Sequence, residues 1–247
     1  MGYLILVRHG APCLNPDNWL YGWMDIHLSR KGIEEALDCA VKLKNIELDL
    51  AFASNFVRTQ ETLLIILSEQ KKTGVLVHEG AVEKSGIGKV EWYSYPEKLG
   101  KSLIPVYTVA ALNERYYGKL QDMKKKTMEE KYGAEKLAYW TWKESCLPEA
   151  ESLKDVYERA VPYFEQKVLP AIKEEKNVIV CAHQGSLKAL VRYIESISDE
   201  GIREVRFSTG ELVVYRFSEG GLTRKNAEMN SLTKKKCNYS ACPKSVG

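Results

Sequence analysis

The chain has 247 residues, of which 45% are hydrophobic and 28% charged, and its formal net charge at pH 7 is only +3. A chain of this length can bury a full core as one large domain. The near balance of charge gives no electrostatic case for nucleic acid or a membrane as a partner. The six cysteines form no C-x-x-C pair, which argues against a zinc site and a disulfide framework. Cys39 and Cys181 lie in apolar runs and are predicted to be core thiols.

The chain begins with an apolar pattern and shows neither a positively charged leader nor a long apolar segment, so we expect a cytoplasmic protein. The first predicted element is a strand over residues 3–7, which stops abruptly at Arg8, His9 and Gly10. Five apolar residues in a row predict a strand buried on both faces of a sheet. In open α/β sheets, ligands bind beyond the carboxyl ends of the strands. The strand therefore delivers a permanent cation and an imidazole to that edge.

The first half of the chain then alternates helix and strand. Residues 11–24 are rich in Pro, Asn, Asp and Gly and predict a loop. Ser29 is an N-cap candidate for a helix that reaches residue 44. A buried strand is predicted over 48–53 and a second helix over 56–70, with Arg58 in its first turn. This order indicates an α/β fold whose helices cover a sheet.

Residues 71–105 interrupt the alternation. They contain one short strand candidate, 75–78, and otherwise glycine and charge without clear periodicity. We therefore predict an excursion from the main domain over this range. An apolar, β-branched run over 106–112 predicts the next strand, which stops at Asn113 and Glu114.

The second half contains the strand over 178–182, which is as apolar as the first and also ends at a histidine, His183. Pro162 and Pro170 predict a bend in a long amphipathic helix before it. The other elements predicted here are helices over 124–145, 152–175 and 187–194 and a last strand over 212–217. Residues 1–222 are predicted to form a single domain, followed by a polar, basic tail over 223–247.

Five charged or titratable residues flank these strand ends, and they converge on one site if the strands are neighbours in one parallel sheet: Arg8, His9, Arg58, Glu114 and His183. Such a set suits phosphoryl transfer, because the two arginines and a protonated His183 can hold the charged phosphoryl oxygens. Neutral His9 can attack phosphorus and carry the group as phosphohistidine. Glu114 can protonate the leaving oxygen and later deprotonate the acceptor.

The same residues allow a second interpretation, a metal site with His9, His183 and Glu114 as ligands. Two neighbouring arginines would repel a dication, and no H-E-x-x-H or Asp-rich motif accompanies the histidines, so we predict no metal. A nucleotide site is disfavoured as well, because the chain has neither a G-x-G-x-x-G nor a P-loop sequence.

Motifs spread over most of residues 3–217 resemble one family. The run Leu6-Val7-Arg8-His9-Gly10 looks like the signature of the histidine phosphatase superfamily. Further stretches resemble its cofactor-dependent phosphoglycerate mutase branch: Gly22-Trp23-Met24-Asp25, Ala53-Ser54 with Arg58 and Thr59, Asn113-Glu114-Arg115-Tyr116-Tyr117-Gly118, and Glu151-Ser152-Leu153-Lys154-Asp155. The resemblance implies a three-layer α/β sandwich, a mostly parallel central sheet with helices on both faces.

The resemblance also implies that His9 is phosphorylated, that Arg8, Arg58 and His183 hold the phosphoryl group and that Glu114 is the proton donor. The implied reaction interconverts 3-phosphoglycerate and 2-phosphoglycerate in glycolysis and gluconeogenesis, primed by 2,3-bisphosphoglycerate and without a metal. The implied substrate pocket is lined by Asn15, Tyr21, Gly22, Arg115, Tyr117, Lys125, Gln184 and Gly185. The expected partner is thus a small phosphorylated anion, with a homo-oligomer as a possible assembly.

Departures from the family pattern leave two alternatives open. Thr141-Trp142 stands where the family has an arginine pair that helps to hold the distal end of the substrate. Tyr21 replaces a small hydroxyl residue, and Gln184-Gly185 replaces Gly-Asn. Fewer distal cations weaken the case for a mutase more than the case for a phosphatase, in which water accepts the phosphoryl group from His9. The second alternative is a non-catalytic phosphoester-binding protein.

Overall fold

The computed structural model describes residues 2–14, 19–77, 81–84, 88–91, 97–121, 123–133 and 149–225. The strands are β1 (Tyr3–Arg8), β2 (Trp19–Leu20), β3 (Leu50–Ala53), β4 (Thr73–Val77), β5 (Ala81–Lys84), β6 (Gly88–Glu91), β7 (Leu103–Thr108), β8 (Met123–Lys124), β9 (Val178–Ala182), β10 (Leu212–Ser218) and β11 (Gly221–Arg224). The helices are α1 (Arg30–Leu43), α2 (Val57–Leu67), α3 (Glu97–Gly100), α4 (Lys125–Tyr132), α5 (Leu153–Tyr163), α6 (Leu169–Lys173) and α7 (Gln184–Glu195).

Seven of these strands form the central sheet, in the order β11-β10-β1-β9-β3-β7-β4. From β1 to β4 all neighbours are parallel, while β10 and β11 are antiparallel additions at one edge. The pairs Arg8↔Ala182 and Ala53↔Cys181 show that β1, β9 and β3 end at the same edge. The predicted mostly parallel sheet is confirmed.

Alternate residues of the strands face two separate cores. Leu4, Leu6 and Val180 pack with α5 and α7 on one face, whereas Ile5 and Val7 pack with α1 and α2 on the other. Because every one of these side chains is fully buried, both faces of the sheet are covered. This pattern is typical of a parallel sheet and confirms the three-layer α/β sandwich.

Helix α1 begins where the sequence predicts, since the Ser29 side chain accepts a hydrogen bond from the Gly32 N–H. The irregularity expected from the prolines of the long helix is a π-helical segment, Phe164–Val168, between α5 and α6. Cys39 and Cys181 are fully buried free thiols, as predicted, and burial raises the pKa of both. In the described ranges no helix has the length and apolarity to span a bilayer.

The boundaries of the predicted excursion are wrong, because β4 and the first half of β7 belong to the main sheet. Val75 pairs with Pro105 and Val77 with Tyr107 in parallel register. The predicted strand over 106–112 therefore begins earlier, at Leu103, and its last residues form a 3-10 turn, Ala110–Leu112. The sequence did not predict the first three residues of this strand because they include Pro105, and proline normally marks a strand edge or a turn.

The predicted start of the tail is also wrong. Thr223 pairs with Arg216, and Arg224 pairs with Tyr215, so both residues belong to β11. The sheet thus extends to Arg224, because the turn before Gly221 returns the chain antiparallel to β10. The rest of the predicted tail from residue 226 onward, and most of the helix predicted over 124–145, lie outside the described residues.

Candidate active site

The site lies at the carboxyl edge of the sheet, where neighbouring strands each deliver a polar residue. His9 follows β1, His183 follows β9 and Ser54 follows β3. The His9 N–H donates to the Ala182 carbonyl at 3.1 Å, and the two imidazole rings lie 4.9 Å apart between centroids with a tilt of 59°. His9 and His183 are only 4% and 0% exposed. The convergence expected from the sequence is therefore observed for both histidines.

His9 presents Nε2 as its reactive nitrogen. Its Nδ1 lies 2.8 Å from the Gly10 carbonyl, and since a carbonyl only accepts, Nδ1 carries the ring proton. Burial lowers the pKa of His9 well below 6.5, and the positive charges of Arg58 and Arg8 lower that pKa further. The ring is thus neutral at pH 7, with a lone pair on Nε2.

His183 is held from the opposite side. Its Nε2 lies 2.7 Å from Ser54 Oγ, which in turn lies 2.8 Å from Thr59 Oγ1. Burial lowers the pKa of His183 well below 6.5, followed by the effects of Arg58, His9 and Arg8, so the ring is neutral in the free protein. A protonated His183 that holds phosphoryl oxygens stays a prediction, while burial first and then the two fixed cations favour the neutral ring in the free protein.

The two arginines flank the histidines from different elements. Arg58, 2% exposed in the first turn of α2, donates to the carbonyls of Met24 and Gly22 at 2.8 and 3.0 Å. Burial lowers its pKa, although a guanidinium remains charged in proteins. Arg8 donates from Nη1 to the Phe207 carbonyl at 2.6 Å. Within the described ranges, Arg8 Nε and His183 Nδ1 are buried nitrogens without a hydrogen-bond partner.

Glu114 reaches the same site from the segment that follows β7. Its Oε1 accepts hydrogen bonds from the Arg115 N–H at 2.8 Å and the Gly185 N–H at 2.9 Å, which place it at the start of α7. Because both N–H groups donate to Oε1, the other oxygen, Oε2, is the one that can carry a transferable proton. All five predicted catalytic residues thus meet around this edge.

Gly22 and Tyr117 lie side by side at the rim of this site. Gly22 has a φ of +47°, and a Cβ there would lie 2.7 Å from Tyr117 Cδ2, so both the turn and the close contact require glycine. The Arg115 guanidinium lies 4.9 Å from the centre of the Tyr117 ring. Burial raises the pKa of Tyr117, which keeps its hydroxyl protonated at neutral pH.

The other predicted pocket residues have mixed outcomes. Both amide atoms of Gln184 bind the segment 205–207, through the Val205 carbonyl at 3.3 Å and the Phe207 N–H at 3.0 Å. The hydroxyl of Tyr21 donates to the Leu14 carbonyl. Outside the described residues lie Asn15, the side chain of Lys125, Thr141 and Trp142.

Sequence reasoning assigned no role to several residues that hold this site together. Ser54 had a usable signal, since it follows a buried strand as His9 does. Thr62 Oγ1 accepts the Gly10 N–H at 3.0 Å, and Trp23 Nε1 donates to the Glu114 carbonyl at 2.7 Å. Trp23 lies in one of the motif stretches, but the motif does not indicate its partner, and Thr62 had no signal, because both partners are backbone groups of residues distant in the chain.

This geometry suits a tetrahedral oxyanion. It combines two cations, two neutral imidazoles and a carboxyl group, with one imidazole nitrogen, His9 Nε2, in its nucleophilic form. In the described part of the chain, no three His, Cys, Asp or Glu side chains are grouped as metal ligands.

Comparison with known proteins gives relatives along almost the whole chain. A 2,3-bisphosphoglycerate-dependent phosphoglycerate mutase of Methanosarcina mazei is 67% identical over 92% of this chain and 95% of its own length. One of Methanosarcina acetivorans is 48% identical, over 95% of this chain and 99% of its own length.

Solved structures confirm the fold. A phosphoglycerate mutase of Bacillus anthracis superposes with a TM-score of 0.66 at 20% identity, covering 94% of this chain and 96% of its own. An alpha-ribazole phosphatase of Shigella flexneri has a TM-score of 0.67 at 20% identity, covering 90% and 94%. The sequence model of the histidine phosphatase superfamily (branch 1) matches residues 4–91 and 95–229. This chain therefore belongs to the histidine phosphatase superfamily, branch 1.

Proposed function

We propose that this protein is a phosphoglycerate mutase that interconverts 3-phosphoglycerate and 2-phosphoglycerate and is primed by 2,3-bisphosphoglycerate. The observation that carries the proposal is the buried pair of imidazoles, 4.9 Å apart, in which His9 keeps its Nε2 lone pair beside Arg8 and Arg58. The two Methanosarcina relatives, whose names give this activity and this dependence, support it.

The residues present fit a doubly charged phosphoryl group. Arg8 Nε and His183 Nδ1 are buried without a partner in the part of the chain that is described, and such atoms call for a ligand. When the Ser54 hydroxyl donates to His183 Nε2, the proton of the neutral ring lies on Nδ1, which then becomes a donor. When bound, 2,3-bisphosphoglycerate supplies the phosphoryl group that primes His9.

In the first half-reaction, the His9 Nε2 lone pair attacks phosphorus and the bond between phosphorus and the leaving oxygen breaks. The bonding electrons stay on that oxygen, and Glu114 gives it a proton. The two arginines hold the equatorial oxygens, where charge accumulates in the transition state. Phosphohistidine and an alcohol result.

In the second half-reaction, the Glu114 carboxylate takes the proton from the acceptor hydroxyl, whose oxygen attacks phosphorus. The nitrogen–phosphorus bond breaks and its electrons return to His9 Nε2. The acceptor is the free 2-hydroxyl of 3-phosphoglycerate, so this transfer gives the bisphosphate. For isomerisation, the site must keep the bisphosphate while it turns, so that His9 takes the phosphoryl group from the 3-oxygen and 2-phosphoglycerate leaves. We predict that Gly22, Arg115 and Tyr117 help to keep the bisphosphate.

The proposed reaction runs in both directions, and so serves glycolysis and gluconeogenesis. Its substrate is a small phosphorylated anion. The cytoplasmic location, the assembly into a homo-oligomer and the substrate-binding roles of Asn15, Tyr21, Lys125 and Gln184 remain predictions.

The test supplies 3-phosphoglycerate with a catalytic amount of 2,3-bisphosphoglycerate, couples the product to enolase and measures free phosphate in the same mixture. We expect rapid isomerisation with little phosphate release, together with label on His9. Phosphate release without isomerisation would show a phosphatase. Neither activity, with no label on His9, would show a binding protein. The variant His9→Asn should lose isomerisation and labelling, and activity retained in it would exclude a phosphohistidine.

A further inference from the structure

Arg159 of α5 is bonded to the segment that carries Glu114. Its Nη1 donates to the Ala111 carbonyl at 2.7 Å, and its Nη2 donates to the carbonyls of Asn113 and Glu114 at 3.0 Å each. Three carbonyls within four consecutive residues therefore converge on one cation. A guanidinium can do this because its donors form a rigid planar fork, which a lysine lacks.

Glu151 faces both this guanidinium and the other end of the segment. Its Oε1 accepts from Arg159 Nε at 2.8 Å, and its Oε2 accepts from the Tyr116 N–H at 2.8 Å. The Glu151 N–H also donates to the Tyr116 carbonyl at 2.8 Å. The backbone on both sides of Glu114 is thus tied to one ion pair, in which 21% of each side chain is exposed.

We propose that Arg159 and Glu151 are positioning residues, which set the place of the Glu114 carboxyl relative to the reacting phosphoester. The inference rests on the proposed function, because it requires Glu114 to protonate the leaving oxygen. The pair also holds this segment in the fold, because Glu151 accepts from both Nε and Nη2 of Arg159. Orientation is a separate consequence, since a displacement of about 1 Å in a catalytic group can cost about a hundredfold in rate.

The test compares two phosphoryl donors that differ in their need for an acid. Phosphorylation of His9 by 2,3-bisphosphoglycerate expels an alkoxide, which needs a proton. Phosphorylation by 2,4-dinitrophenyl phosphate expels a stable phenolate, which needs none. Both rates are measured as label on His9 under single turnover, for the wild type, Arg159→Lys and Glu114→Gln.

We expect Arg159→Lys to slow transfer from 2,3-bisphosphoglycerate by about tenfold to a hundredfold and to leave transfer from the aryl phosphate within about twofold of wild type. Glu114→Gln should give the same selective loss in stronger form. The control is Arg192→Lys, because Arg192 forms a comparably exposed ion pair with Asp199 at 2.6 Å, away from the Glu114 segment. Both rates should be unchanged in this control.

An equal loss with both donors would overturn the inference, since it would indicate general damage to the site, and so would no loss with either. If Arg159→Lys does not fold, Glu151→Gln gives the same comparison, because its amide would place a donor against the guanidinium or the Tyr116 N–H. Failure of the proposed function would be distinct: the wild type would then take no label from 2,3-bisphosphoglycerate.

Discussion

At Gly185, we expect one added methyl group to slow catalysis far more than it destabilises the fold. A Cβ built there would lie 2.4 Å from Glu114 Oε1. An ordinary contact needs roughly 3.5 Å, so the oxygen must move by about 1 Å. That oxygen is at the end of a flexible side chain, but it also accepts the Arg115 and Gly185 N–H groups, so the move weakens two hydrogen bonds. It also displaces the group that we propose as the acid.

The expected effect of Gly185→Ala follows from this displacement. A shift of about 1 Å in a catalytic group costs about a hundredfold in kcat, which corresponds to about 2.7 kcal/mol in the barrier. Alanine is favoured over glycine within a helix by up to about 1 kcal/mol. This gain offsets part of the loss from the two weakened hydrogen bonds, so the melting temperature should fall by only a few degrees while isomerisation slows about a hundredfold.

The assay is the enolase-coupled rate together with thermal unfolding. Gly220→Ala is the matched control, because no heavy atom lies within 4 Å of a Cβ built at Gly220. A kcat for Gly185→Ala within about threefold of wild type would refute the reasoning, since it would show that Glu114 does not need its present position.

Three further predictions concern the histidines. Ser54→Ala should slow the labelling of His9 by about tenfold, because His183 Nε2 loses its 2.7 Å partner, and unchanged labelling would contradict this role. The rate of His9 labelling should stay level as the pH falls from 8 to 6.5, since its lowered pKa keeps Nε2 unprotonated; a rate that halves near pH 6.5 would contradict the pKa direction. The free energy of unfolding should be at its full value above pH 6.5 and should decrease as the pH falls below 6.5. In that range His9 and His183 bind protons in the unfolded chain but not in the folded one, because their pKa values are lowered by folding. Urea titrations should show a shallower fall in His9→Asn.

The two central strands were predictable because strands buried on both faces consist of uninterrupted apolar residues. β1 and β9 are uninterrupted apolar runs, and such runs indicate strands covered on both faces of a parallel sheet. Once two such strands each end in histidine, the carboxyl edge of the sheet brings the two rings together. The predicted set of five residues followed from this geometry on the condition that the strands are neighbours, and the order β1-β9-β3-β7 meets that condition.

The groups that hold those five residues were not predictable, because most of them act on backbone atoms. Arg159 binds carbonyls of residues more than 40 positions away in the chain, and nothing in a local pattern reports such partners. Pro105 shows a related limit: a strand signal depends on local propensity, whereas pairing with β4 is a tertiary contact.

The positive charges of Arg8 and Arg58 determine both the affinity of the site for an anion and the pKa of His9. Their charges attract a phosphoryl dianion, and the same charges lower the pKa of His9 beyond the effect of burial. A bound dianion favours the protonated ring, which has no lone pair for attack. Burial and the two cations oppose that protonation, so the ring stays neutral and nucleophilic. Replacing Arg58 should therefore weaken anion binding and raise the pKa of His9 together, which NMR titration of the ring can measure against the affinity for inorganic phosphate. A loss of affinity with no rise in that pKa would separate the two properties and contradict a common cause.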